Sequence, residues 1–537
     1  MKLKIYFSLF IFLLGLQSVL SAPLVETPVG LIEGEELNGV EVFKGIPYAQ
    51  TVTEELRFAP PVAASPFKEK FKADRFCPIA PQAAFLNYDS SQSGGKSYLC
   101  LNIFRPVNLT SESKAPVYVW IHGGAYASGT SGIPLYDGSQ FAKDGIITVT
   151  VNYRLGAEGF LHSNSLLKKY GTTGNWGHLD LIEALKWVNQ NIESFGGDTG
   201  NITVGGGSAG AMATSALILN PKVKGMFQKA ILHSGTIISF PFVGLNSVQN
   251  HDTAEKRSQK LFSQFGVEDS DAGVDMLRSL DPYLLAYQCA YDYDFTHNRG
   301  SFMIPYLDGN VLPLSPYKEL KRNNYNDVSV LMGYNSNEGT LFVNSDLTEN
   351  DFYSGLYANF DKNTAESLKN LYKLTEKSSV YEKASEFMGD VMFNLGMKIF
   401  ADNLSATQKV YVYHFDYLPK SSKGELSGVH HSSELKYAFN NMSKDASQKS
   451  RDVAEVFHLR LVNFLKTGDP DSAGEMTTLI KWKAYDSNDR AVLRIGSYTG
   501  VEEFKLKENS PSLKRYSLAQ RRNNLNYFMP IASILGA

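Results

Sequence analysis

Gly206-Gly207-Ser208-Ala209-Gly210 is the stretch on which the reading of this chain turns. A β-branched run, Asn201-Ile202-Thr203-Val204, leads into it and reads as a strand. The residues from Gly210 to Leu219, rich in alanine and leucine, read as a helix. A serine flanked by glycines between strand and helix sits on a sharp, strained turn that exposes its hydroxyl as a nucleophile. A side chain at either flanking glycine would collide with the backbone. An ordinary glycine-rich turn has the same five letters, so the surroundings must decide.

Upstream, Val117-Tyr118-Val119-Trp120-Ile121 and Ile146 to Val151 are short apolar, β-branched runs bounded by Pro or Gly, as in strands buried on both faces of a parallel sheet. Between Asp180 and Ser194, Leu181, Leu185, Val188 and Ile192 recur as a helical stripe. Ala230 to Leu232, Val328 to Met332, Val410 to Tyr413 and Val492 to Ile495 supply later strands. Strands alternating with helices predict a doubly wound α/β sheet, and no Pro/Gly/Ser-rich linker divides it, so residues 22–537 are expected to form one domain. Just after the Val117 strand stands Ile121-His122-Gly123-Gly124-Ala125. In the α/β-hydrolase fold such a loop aims backbone N–H groups at the oxygen that turns anionic during acyl transfer, and small residues let the backbone reach the substrate.

The 537 residues are 43% hydrophobic, 20% charged and 12% aromatic, with a formal charge of -3. There is no basic patch or stripe for nucleic acid. Lys2 and Lys4 precede an apolar run from Ile5 through Leu20 and small residues at Ser21 and Ala22, so residues 1–21 are expected to be a cleaved signal peptide. No later stretch is apolar and long enough for a membrane anchor, and a secreted or lumenal protein is expected. Three cysteines, Cys77, Cys100 and Cys289, permit one disulfide and one leftover thiol in that compartment. Asn108, Asn201, Asn403 and Asn441 begin sequons, of which Asn108, Asn403 and Asn441 are the expected glycan sites. No cofactor is called for and no metal-ligand cluster is read.

Further landmarks make a resemblance specific: Gly45-Ile46-Pro47-Tyr48-Ala49 with Leu56-Arg57-Phe58, Val151 to Gly156 with Gly159-Phe160-Leu161, Gly174-Asn175, Asp180, Phe195 to Asp198, Ser234-Gly235, Pro305 with Asp308-Gly309, and Thr467 to Pro470. Nearly end to end, the chain resembles the type-B carboxylesterase/lipase family, the cholinesterase-like α/β hydrolases. The resemblance implies that the triad acid is Glu338 in Gly333-Tyr334-Asn335-Ser336-Asn337-Glu338-Gly339. It implies that the base is His431 in Gly428 to Leu435, with the adjacent His430 disfavoured by spacing. The order Ser, acid, His is that of the fold. It also implies an oxyanion hole from the N–H groups of Gly124, Ala125 and Ala209, a small ester as substrate, and a Cys77–Cys100 disulfide.

The chain departs from the family in places. Cys100 stands two positions later than usual, a shift that keeps the same strand face. Lys96 replaces the Glu that normally pairs with the residue at Arg57, leaving like charges there, while the family pair Arg154 with Asp180 is available. Gly207 replaces the common Glu before the nucleophile, and Pro78 to Leu99 holds no Trp, which argues against choline esters. The competing readings are a non-catalytic adhesion or storage protein on the same fold and a lipase. The first usually lacks a triad member, and no amphipathic lid announces the second.

Overall fold

A computed structural model of the chain describes residues 22–53, 55–82, 97–238, 251–288, 293–294, 299–300, 303–375, 378–422, 428–472, 480–496 and 499–503. The expected signal peptide at 1–21, Lys96 and Cys289 lie outside the described residues.

An 11-stranded sheet forms the centre. Its strands, in chain order, are β1 (Glu35–Leu37), β2 (Val40–Pro47), β3 (Cys100–Pro106), β4 (Ala115–Ile121), β5 (Ile147–Val151), β6 (Gly197–Gly207), β7 (Lys229–His233), β8 (Ser329–Asn335), β9 (Val410–Asp416), β10 (Ala491–Gly496) and β11 (Gly500–Glu503). Across the sheet they lie in the order β11-β10-β9-β8-β7-β6-β4-β5-β3-β2-β1. From β5 to β10 neighbours run parallel, and the antiparallel pairs are confined to the two margins. This is the mostly parallel, helix-flanked sheet of an α/β hydrolase.

Alternation along each strand splits the core into two layers. Val117, Val119 and Ile121 of β4 join one cluster with Ala230 and Leu232 of β7, while Tyr118, Trp120 and Ile231 join the other. Both faces are covered, so β5 and β7 are buried throughout. The helices used below are α1 (Trp176–Asn191), α2 (Ala209–Ile218), α3 (Val380–Gly389), α4 (Leu395–Leu404) and α5 (Gln448–Thr467). The stripe read from the sequence is the buried side of α1, including Leu181, Leu185 and Val188. Helix α2 is buried almost all round, which suits a sequence of Ala, Leu and Ile with few polar residues.

Cys77 and Cys100 are disulfide-bonded, with Cα atoms 5.8 Å apart. Arg154 makes a bidentate pair with Asp180, at 2.8 and 2.6 Å, in a fully buried site. Removing Asp180 alone would strand a buried guanidinium, a loss of about 3–5 kcal/mol. Arg57 has found another partner: its Nε lies 2.8 Å from Glu158 Oε1, and Tyr98 donates its hydroxyl to Glu158 Oε2. Burial raises the Glu158 carboxyl above its usual range, against the pull of Arg57. The partner missing at Arg57 is therefore supplied by Glu158 from the short helix Gly156–Phe160.

Candidate active site

Strand β6 ends at Gly207, Ser208 takes φ 57° and ψ −124°, and α2 starts at Ala209. This is a strained conformation for a residue with a side chain, and neighbouring packing must enforce it. A Cβ on Gly210 would lie 2.1 Å from the Ile121 carbonyl, so only glycine lets α2 approach the end of β4 this closely. The Ser208 N–H donates to the His233 carbonyl at 2.8 Å, tying the elbow to the end of β7.

Glu338 follows β8, and His431 lies on the loop after β9. Both are buried. His431 Nδ1–H donates to Glu338 Oε2 at 2.6 Å. The other carboxylate oxygen accepts the Ser234 hydroxyl at 2.5 Å and the Asn335 N–H at 2.7 Å. With three donors the carboxylate is fixed in orientation. His431 Nε2 is buried and has no hydrogen-bond partner among the described residues. A continuous bonded path thus runs from Ser208 through the end of β7 and Ser234 to Glu338 and His431. His430 is held differently, with Nδ1 2.8 Å from the His431 carbonyl oxygen.

The loop after β4 leans on the elbow, since a Cβ on Gly123 would meet the Ser208 Cβ at 3.0 Å. Gly124, Ala125 and Tyr126 take φ of 115°, 55° and 59° in succession. A Cβ on Gly124 would sit 2.1 Å from the Ser128 carbonyl oxygen, and that carbonyl's loop is closed by Ala127 and Ser128 N–H donating to Gly124 C=O. Among the described residues, the N–H groups of Gly124 and Ala125 make no backbone hydrogen bond. The Ala209 N–H belongs to the first turn of α2, where amides lack intrahelical partners. His122 braces this loop from within. Its Nδ1–H donates to Gly123 C=O at 2.8 Å, its ring stacks on Tyr153, and burial pushes its pKa down to about 4, so it is neutral.

Four neighbours make contacts the sequence did not announce. Ser234 was a landmark without a task, and its hydroxyl fixes the orientation of Glu338. Glu434, in the His431 motif, is buried; burial and then the charge of Glu338 push its pKa up to about 7. Phe393 and Phe342 flank the His431 ring, and no local pattern marked either. At Gly207 a Cβ would meet Leu435 and Trp120, an apolar wall where an acid was expected to be missing. Among the described residues, no cluster of three or more His, Cys, Asp or Glu is arranged to hold a metal ion. No helix among them is long and apolar enough to cross a membrane.

The model of the carboxylesterase family matches residues 21–513. The para-nitrobenzyl esterase of Bacillus subtilis is 31% identical over 500 residues, covering 89% of this chain and 96% of that protein. Carboxylesterase 1D of Rattus norvegicus is 28% identical over 535 residues, covering 89% and 90%. Among solved structures, a PNB esterase superposes with a TM-score of 0.78 at 30% identity, covering 92% of this chain and 100% of that one. A Geobacillus stearothermophilus carboxylesterase gives 0.75 at 30% identity, covering 89% and 97%. The buried His–Glu pair beside a strained serine elbow and these matches along nearly the whole length lead to one assignment: the chain belongs to the carboxylesterase family, carboxylic-ester hydrolases of the α/β-hydrolase fold.

Proposed function

We propose that this protein is a secreted serine carboxylesterase that cleaves neutral carboxylic esters through an acyl-enzyme on Ser208. The observation that carries the reading is the 2.6 Å bond from His431 Nδ1–H to Glu338, which leaves a buried Nε2, unpartnered among the described residues, to serve as base. His431 Nε2 takes the Ser208 proton as Oγ attacks the ester carbonyl, and Glu338 stabilises the imidazolium that forms. The N–H groups of Gly124, Ala125 and Ala209 hold the oxyanion, each donor being worth about 3–4 kcal/mol of barrier. His431 then returns the proton to the leaving alcohol. In the second half it deprotonates the water that releases the acid.

Cleavage of residues 1–21 would export residues 22–537 as a single domain, supported by the basic-then-apolar start of the chain. The test is a fluorophosphonate label on secreted protein, followed by peptide mapping. Label on Ser208, absent from Ser208→Ala, is expected together with a mature N-terminus at Ala22. Undiminished labelling of Ser208→Ala would overturn the elbow assignment.

A further inference from the structure

One helix interrupted once runs behind the acid and the base. At Gly389, α3 passes into a π-helical turn, Asp390–Asn394, and then into α4. The Leu395 N–H defines the turn by donating to the Asp390 carbonyl, five residues back. Such turns are rarer and less well bonded than the α-helix on either side, and they gather at functional sites. Here the corner is tied down. The Tyr372 hydroxyl donates to Asp390 Oδ2 at 2.8 Å, and the Asn394 amide to Asp390 Oδ1 at 3.0 Å.

Two contacts aim this helix at the reacting pair. A Cβ on Gly339, next to Glu338, would lie 1.9 Å from the Ser385 carbonyl oxygen, and one on Gly389 would lie 3.4 Å from Glu338 Cβ. Four positions beyond Gly389, the Phe393 ring stacks on His431, with centroids 4.4 Å apart and planes 25° from parallel. Phe342 meets the same imidazole edge-on at 5.4 Å, and Phe393 is fully buried.

We propose that Phe393, presented by the π turn at 390–394, is a positioning residue for His431: its face fixes the imidazole plane and stabilises the imidazolium formed during acyl transfer. The proposal rests on His431 being the base. An aromatic face attracts a cation, most strongly where water is excluded. A ring already held in plane needs no reorganisation when it takes the proton. The ionisable groups facing His431 are Glu338, bonded to its Nδ1, and Glu434, with His233 and Tyr413 grouped around Glu434. Phe393 adds an uncharged stabilisation of the cation that none of these supplies.

The test uses the full secreted protein, Phe393→Leu and Phe393→Met variants, and 4-nitrophenyl acetate. Expected is a fall in kcat of about 3- to 30-fold with KM nearly unchanged. The acid limb of kcat/KM should move to lower pH by about half a unit, because a less stabilised imidazolium loses its proton more readily. A folded variant with unchanged kcat and acid limb, or with only KM raised, would overturn the proposal. Replacing Phe393 by increasingly fluorinated phenylalanines keeps the ring shape while weakening its face, so it covers the case in which Leu and Met do not fold. The acid limb should then fall stepwise with fluorine content, and a flat series counts against Phe393. His431→Ala separates the two claims. An active His431→Ala sinks the base assignment itself, whereas an inactive one with a flat fluorine series sinks only the role of Phe393.

Discussion

Glu338 and Glu434 share one asparagine: the Asn335 backbone N–H donates to Glu338, and its side-chain amide donates to Glu434. The second Glu434 oxygen is buried with no hydrogen-bond partner among the described residues, 3.8 Å from His233 Nδ1. Burial pushes the His233 pKa down to about 3, so this histidine offers no positive charge. Two buried carboxyls this close cannot both ionise freely, and Glu434 is the one held back.

Glu434 therefore makes stability depend on pH in a defined direction. Its folded pKa, raised to about 7, lies above the ordinary 4.5, so the folded state favours its protonated form. That contribution is complete below the unfolded value and is lost as pH rises through about 7. Glu434→Gln keeps the neutral shape at every pH. The melting temperature of Glu434→Gln minus that of the wild type should rise between pH 5 and pH 8. A difference that is flat or falls across this window would contradict the assignment.

The two adjacent histidines should separate cleanly. His431→Ala should reduce kcat/KM by several orders of magnitude, as loss of a triad base does. His430, whose Nδ1 engages a backbone carbonyl, should tolerate Ala with about a tenfold loss or less. Steady-state rates on one 4-nitrophenyl ester decide it, and reversed effects would move the base by one residue.

A prediction about substrate charge follows from what stands beside Ser208. Gly207 faces Leu435 and Trp120, with no side-chain carboxylate of its own. Tyr126, which could have offered a ring to a cation, is buried against Tyr153, Phe160 and His178. An aromatic face for a cationic alcohol would be worth roughly 0.5–2 kcal/mol. The uncharged 3,3-dimethylbutyl butyrate should thus be hydrolysed with higher kcat/KM than butyrylcholine. The opposite preference would reveal a cation site.

The sequons are not equivalent. Asn108 is exposed at φ 63° on a turn. The Asn441 amide donates to the carbonyls of Pro134, Leu135 and Asp137, and the Asn403 amide to that of Ile399. A glycan on Asn441 would replace one of the two amide hydrogens that make those three bonds. Glycopeptide mass spectrometry of the secreted protein should find Asn108 occupied and Asn441 bare, and a fully occupied Asn441 would refute the ordering.

What could be read in the sequence was whatever chemistry writes locally. β-Branched runs marked β4, β5 and β6, the stripe at Leu181, Leu185 and Val188 marked α1, and the glycines around Ser208 marked the elbow. Glu338 and His431 were reachable only through motifs, because nothing in a loop carboxylate or a lone imidazole betrays its partner. Choices of partner across the fold stayed hidden. Arg57 could as well have faced Lys96, and only the packed chain brings it to Glu158. Phe393 likewise carries no local signal, since a π turn leaves no periodicity over five residues.

The order of the strands also gives the protein a clock. Ser208 follows β6, while His431 awaits β9, whose pairing partner β8 itself comes late in the chain. At ~5–20 residues per second, the serine leaves the ribosome roughly ten to forty-five seconds before the histidine. With the roles proposed above, a nascent chain carries a nucleophile with no base throughout that interval, and an ester meeting it is safe. On that proposal competence arrives only when the far side of the sheet has closed, so a chain truncated before β9 should be silent however well its first half had folded.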